Sequence, residues 1–254
     1  MSVIGWIDFS SESNNTMKII LWNTQWAPPG SERERIIREI VLGSFPDLVC
    51  ITEGYCQTWE DHGHLICSQA DYGYPIKTGK RKVLLLSRTP WSEIDDLGHT
   101  GLPPGRFVSG VTQGNRCFGV CIPWKDAHVR NGRKDRLPWE DHISFWDGLS
   151  EVLDRHHGSQ SILLGDFNQQ IPRRRQPVDV YNKLEAVLGK GFSVQPQGLI
   201  PPLNELSIDH CCVRPAPRSV DVTGISNVQS GIELSDHFGL LIEITLTPGE
   251  IPAV

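Results

Sequence analysis

The sequence predicts an α/β fold on three observations: short apolar runs rich in β-favouring residues, a strand, helix, strand order near the amino end, and polar clusters that recur where the runs stop. Met17-Lys-Ile-Ile-Leu-Trp22 ends at Asn23 and predicts a buried strand that delivers Asn23 at its carboxyl end. Ala27-Pro-Pro-Gly30 reads as a loop. Ser31 and Glu34 stand at capping-box spacing ahead of Ile36, Ile37, Ile40 and Val41, so an amphipathic helix should run to about Gly43. Residues 47–53 then read as a second buried strand. A right-handed crossover would lay the two strands parallel, with Asn23 and Glu53 at one sheet edge.

Further strands are expected near 82–87, 106–113 and 116–122, with an antiparallel character set by intervening Gly, Pro and Asn signals. Pro138, Ile143, Trp146, Leu149 and Leu153 predict a helix closed by Gly158, and Ser161 to Asp166 another buried strand. Val180, Tyr181, Leu184, Val187 and Leu188 mark a third helix. Strands should follow near 206–213, 221–227 and 238–246. There is no internal repeat, heptad run or low-complexity tract. The expected organisation is an extension over 1–16, one domain over 17–247 and a tail over 248–254.

Composition narrows the function. Hydrophobic residues at 39% of 254 suffice for a sizeable core, and a net charge of -6 excludes a broad basic coat for nucleic acid, so any polyanion must be gripped locally. Seven cysteines, odd in number and without a C-x-x-C pair, predict free thiols in a reducing, cytoplasmic setting. Residues 1–16 lack the basic and apolar regions of a signal peptide, and no stretch approaches ~18 uninterrupted apolar residues, so a protein without a membrane partner is expected. A monomer is expected.

Five polar clusters fall at predicted strand ends: Asn23 with Gln25, Glu53, Asp166 with Asn168, Asp209 with His210, and Asp236 with His237. Strand ends are where α/β proteins hold ligands. Glu53, Asp236 and the amide oxygen of Asn23 are hard oxygen donors that suit Mg²⁺, with Mn²⁺ as its substitute. Hydrolysis of a phosphoester needs a positioned water, a proton acceptor and positive charge at the phosphoryl oxygens, which Asp, His and a metal supply.

The series Leu-Trp-Asn23-Thr-Gln25, Ile-Thr-Glu53, Gly-Asp166-Phe-Asn168, Ser-Ile-Asp209-His and Ser-Asp236-His237 resembles the endonuclease/exonuclease/phosphatase superfamily in order and spacing. The resemblance spans residues 17–247 and implies a four-layer α/β/β/α sandwich, two mixed sheets packed face to face between helices. It implies that Asn23, Glu53 and Asp236 serve the metal, and that Asp166 and Asn168 position or deprotonate the water. His237 would contact the scissile phosphate while Asp209 orients its ring.

Two departures stand out. Thr52 occupies the place where the family usually carries Gln. The strand Phe118 to Trp124 lacks the family's His or Tyr, having Cys121 ahead of Pro123, which leaves His128 as the candidate phosphate contact and Arg106 as a basic residue ahead of this strand.

Each motif has a bland reading. Gly-Asp-Phe-Asn is a common turn, and only the ordered set of five carries the assignment. His210, Cys211, Cys212 and His237 could suggest zinc, but neighbours in a strand point to opposite faces. Arg130 to Arg136 and Arg173-Arg174-Arg175 read as solvated surface or, by their place after strand ends, as a rim for a polyanion. Trp22, Trp139 and Trp146 read as core, whereas Trp26 and Trp124 follow strand ends and are candidates to meet a base. The leading expectation is a phosphodiesterase or nuclease; the alternatives are a phosphomonoesterase acting on a nucleotide or inositol phosphate, and a non-catalytic phosphate-binding module.

Overall fold

The computed structural model describes residues 16–98, 101–129 and 135–247. Residues 1–15 of the expected extension over 1–16, the tail over 248–254 and residues 130–134 of the first basic stretch lie outside the described residues, and Thr16 already belongs to the first strand. In chain order the elements are β1 (Thr16–Asn23), α1 (Glu32–Gly43), β2 (Leu48–Tyr55), β3 (His64–Cys67), β4 (Lys80–Ser87), β5 (Ser92–Asp95), β6 (Phe107–Thr112) and β7 (Asn115–Cys121). There follow α2 (Glu140–Arg155), β8 (Ser161–Asp166), α3 (Val178–Leu188), β9 (Ser193–Gln195), β10 (Leu199–Ile200), β11 (Glu205–Leu206), β12 (Asp209–Arg214), β13 (Ser219–Ile225), β14 (Val228–Gln229), β15 (Ile232–Glu233) and β16 (Gly239–Thr245).

Two mixed six-stranded sheets form the centre, ordered β13-β16-β1-β2-β4-β3 and β5-β6-β7-β8-β12-β9. Each contains one parallel pair, β1 with β2 and β7 with β8, and both crossovers carry a helix. Alternation along the strands separates three apolar layers. Ile19, Leu21, Cys50, Val83, Leu85, Cys117, Ile162, Leu164 and Leu240 fill the space between the sheets. Ile20, Trp22, Ile37, Val41 and Ile51 lie between the first sheet and α1, while Phe118, Phe145, Trp146, Leu149, Leu163 and Leu184 lie between the second sheet and α2 with α3. The result is the four-layer sandwich that the resemblance implies.

Local chemistry explains the boundaries. Ser31 caps α1 by accepting from the Glu34 amide at 3.2 Å, and Glu34 turns back to the Gly30 amide. The α2 helix is shorter than expected, because Trp139 adopts φ 71° and breaks the turn begun at Pro138. β3, β5 and β9, of 4, 4 and 3 residues, are sheet-edge strands too short to carry a period. All seven cysteines are free thiols, and Cys211 and Cys212 enter different apolar layers. Among the described residues no helix is long and apolar enough to cross a membrane.

Candidate active site

Asn23 lies opposite Thr52 in the β1–β2 register, and Asp166 lies opposite Asp209 in the β8–β12 register. The first pair belongs to one sheet and the second to the other. The Asn23 amide nitrogen donates to Asp166 Oδ2 at 3.1 Å, joining the sheets at their shared edge. Asp166 Oδ1 accepts from the Asn168 amide at 2.9 Å, so both oxygens of this buried carboxylate are fixed. His237 follows Ser235, whose hydroxyl donates to the Asn23 carbonyl at 2.6 Å, and its Nδ1 lies 2.7 Å from Asp209 Oδ2.

The loops that present these groups hold unusual backbone. Gln25, Trp26, Glu53 and Asn168 have φ of 46°, 55°, 54° and 54°. Such left-handed residues are costly outside glycine and are kept where the surroundings dictate them. The Glu53 kink is fixed by its carbonyl, which accepts from the Trp26 amide at 2.8 Å and the Thr24 hydroxyl at 3.0 Å. Ahead of Asp166, Gly165 at φ 146° is required because a Cβ there would lie 1.8 Å from the Val120 carbonyl oxygen. Behind Asn168, Gln169 donates to His142, whose neutral ring also meets the Pro123 carbonyl and is held to a pKa of about 4 by burial.

Burial, followed by the charge of Asp209, raises Asp166 to about 7, with His237 opposing and Glu53 adding to the rise. Burial disfavours the charged form of His237, but the charge and hydrogen bond of Asp209, with Asp166 and Asp236, override it and raise the imidazole to about 10. At neutral pH the ring is therefore an imidazolium with Nδ1 committed to Asp209.

Asp166, Asp209 and His237 offer one atom each within 4.8 Å of one another. With His237 charged, this trio is better suited to proton and phosphate contacts than to ligation. A hard cation fits the oxygen donors beside it. Glu53 and the exposed Asp236 present carboxylates, Asp209 Oδ1 is buried without a partner among the described residues, and the field of neighbouring carboxylates on Asp166 is one that a cation relieves. Asn23 turns its amide oxygen to the Gln25 amide at 2.9 Å.

The remaining sequence candidates spread around this centre. Gln25 is exposed and meets Arg33. Arg106 is buried, donates to the Cys121 carbonyl at 3.2 Å and leaves Nε without a partner. Trp124 is 49% exposed, unlike the fully buried Trp22 and Trp146. Arg173, Arg174 and Arg175 are exposed; Arg174 and Arg175 line a hollow with Gln170 and Leu206, two residues that also line the cleft at Asp209, Asp236 and His237. His128 lies outside the trio, and its Nδ1 accepts from the Arg136 amide at 3.2 Å.

Lys82 opens the strand expected over 82–87 and carries no motif that marks it in the sequence. Its ammonium meets Glu53 Oε1 at 2.5 Å. Only the β2–β4 pairing reveals that proximity, and no local spacing encodes it.

A model of the Endonuclease/Exonuclease/phosphatase family matches residues 20–237 of the chain. No curated relative matches it in sequence. Among solved structures, the 3′ phosphatase NExo from Neisseria bound to product DNA hairpin is similar at a TM-score of 0.69 and 18% identity, over 91% of this chain and 99% of that one. An AP endonuclease from Archaeoglobus fulgidus is similar at 0.67 and 16% identity, over 89% and 98%. Truncated TDP2 from Caenorhabditis elegans is similar at 0.59 and 14% identity, over 91% and 97%.

Proposed function

Because the chain belongs to the endonuclease/exonuclease/phosphatase family, we propose that it hydrolyses phosphodiester bonds in nucleic acid, with Mg²⁺ as cofactor, Mn²⁺ as its substitute and water as nucleophile. The observation that carries this reading is the pairing, across two sheets, of a fixed Asp166 carboxylate with a His237 imidazolium held by Asp209. A general base near pH 7 and a cationic donor to phosphate are the two roles an in-line attack by water asks of side chains.

Asp166, with one oxygen on the Asn168 amide and the other on Asn23, accepts the proton of the attacking water. His237 directs Nε2–H at a phosphoryl oxygen, since Nδ1 is engaged by Asp209. Glu53, Asp236 and Asn23 would hold the divalent cation, which when bound supplies positive charge to the phosphoryl group and leaving oxygen. Arg174 and Arg175, on the rim continuous with the cleft, and the adjoining Arg173 grip flanking phosphates, and exposed Trp124 offers a face to a base. The free thiols support a reducing, cytoplasmic setting.

A second reading, a phosphomonoesterase acting at a nucleic-acid 3′ end, is favoured by the likeness to a 3′ phosphatase. A panel of labelled single-stranded, double-stranded, abasic and 3′-phosphorylated oligonucleotides, with small phosphoesters, separates the two in Mg²⁺, Mn²⁺ or EDTA. Strand scission that EDTA and His237→Ala abolish is the expected result. Release of phosphate without scission selects the second reading, and no cleavage of any phosphoester with either metal overturns both.

A further inference from the structure

Lys82 stands where the sequence leaves a gap. The family usually carries a His or Tyr on the strand before Trp124, this chain has Cys121 there, and His128 has its Nδ1 engaged by the Arg136 amide. Cys121 is buried at the end of β7, and the charged side chains acting on its thiol are Lys82, Asp166, Arg106 and Glu53. A cation from β4, in contact with Glu53, thus lies near the position where the family's larger side chain is absent.

The surroundings of Lys82 fix where its ammonium can go. Its side chain is only 11% exposed, and Nζ lies 5.2 Å from the Trp26 ring centroid and 5.7 Å from that of Tyr72. Trp26 and Tyr72 stack at 5.7 Å, and the Trp26 amide donates to the Glu53 carbonyl, so one of these walls is hydrogen-bonded to the kinked residue that carries the carboxylate. Among the described residues, Glu53 is the one hydrogen-bond acceptor of Nζ. Aromatic faces favour a cation but do not replace an anion, and a half-enclosed ammonium without one is costly. When Glu53 serves a divalent cation, the ammonium needs another acceptor, and phosphoryl oxygens are the anions this cleft is suited to take.

We propose that Lys82 is a catalytic residue that contacts the phosphoryl group, doing from β4 what the missing His or Tyr would do from β7, and that its bond to Glu53 is the arrangement of the unliganded site. This rests on the phosphoesterase reading. A bare salt bridge that braces Glu53 is the rival account. The two differ in sign, because a lysine that only braces Glu53 helps metal binding, whereas one that competes for Glu53 and then takes phosphate opposes metal and favours anion.

The test is calorimetric titration of the full chain, first with Mg²⁺ and then with inorganic phosphate in the presence of Mg²⁺, for wild type, Lys82→Met and Lys82→Arg. The proposal expects Lys82→Met to bind Mg²⁺ about tenfold more tightly and phosphate at least about tenfold more weakly, with kcat reduced, by loss of one charge-assisted hydrogen bond. Lys82→Arg should recover phosphate affinity to within about threefold, which separates lost charge from a damaged fold. Parallel weakening of Mg²⁺ and phosphate in Lys82→Met, or phosphate affinity that does not change, overturns the proposal, as does a wild type that binds no phosphate. If Lys82→Met shows the expected opposite shifts while the wild type cleaves no phosphoester, the contact is supported and hydrolysis alone is refuted.

Discussion

Replacing the proposed base should make the metal-free protein more stable. Asp166 is raised from 3.8 to about 7 mainly by burial, so its ionised form is disfavoured in the folded chain. A group whose folded pKa is raised contributes its full stability below its unfolded pKa and loses it as pH climbs through the folded value. At about pH 8.5 the shift of roughly three units corresponds to about 4 kcal/mol of destabilisation. In Asp166→Asn an amide oxygen can keep the Asn168 amide, but its NH2 then faces the Asn23 NH2 and loses a bond of about 1 kcal/mol. The net is a stabilisation of about 3 kcal/mol at about pH 8.5, falling to about zero at about pH 4.5, where the folded aspartic acid is already neutral. Urea unfolding in EDTA at the two pH values measures it, and at the higher pH the melting temperature should rise by roughly 6 to 12 °C. Equal destabilisation at both values would refute the claim that a buried, repelled carboxylate sits at the centre of this site.

Two further outcomes follow from the same geometry. In Asp209→Asn, His237 loses its largest source of positive stabilisation while remaining buried, so its NMR titration should fall from about 10 to below the ordinary value of 6.5. The stability that the pair adds, complete below 6.5 and lost as pH rises through about 10, should vanish with it; an unchanged titration would show that Asp209 is not the cause. Gly165→Ala places a Cβ against the Val120 carbonyl in a left-handed backbone, so the urea midpoint should fall by the equivalent of about 3 kcal/mol or more, and a variant as stable as wild type would disprove the constraint.

The first β1-α1-β2 unit was legible because each signal agreed: an apolar run, a capping serine and a second run whose polar end meets Asn23 in register. The cluster Asn23, Asp166, Asp209 and His237 was legible from its ordered motifs, but only Asn23 and Asp166 end strands as expected; Asp209 begins β12 and His237 precedes β16, because antiparallel neighbours bring strand starts to the same edge as strand ends. Lys82 was not, since its meaning depends on β2 lying beside β4, a pairing between segments joined by a long connection. Neither was the turn at Trp139, where a left-handed residue interrupts a periodic pattern that sequence reads as continuous helix. The placement of His128 shows the converse. Its nearness in sequence to Trp124 makes it a candidate, whereas the bond of its Nδ1 to the Arg136 amide is visible only in the structure.

The pairing of Thr16 with Thr245, at the far end of the strands whose other ends carry Asn23 and lead from His237, has a use in engineering. β1 spans 8 residues, so the two ends of this antiparallel pair are separated from the catalytic edge by about 25 Å. A short linker between these neighbouring strand ends would permit circular permutation, with new ends opened at the Gln113-Gly114 hairpin, where Gly114 has open space around it. Because β7 starts at that hairpin and reaches the site only at Cys121, both the old and the new openings would lie away from the cleft. The chain could thus be fused or immobilised through either, with the edge that carries Asp166 and His237 left facing solution.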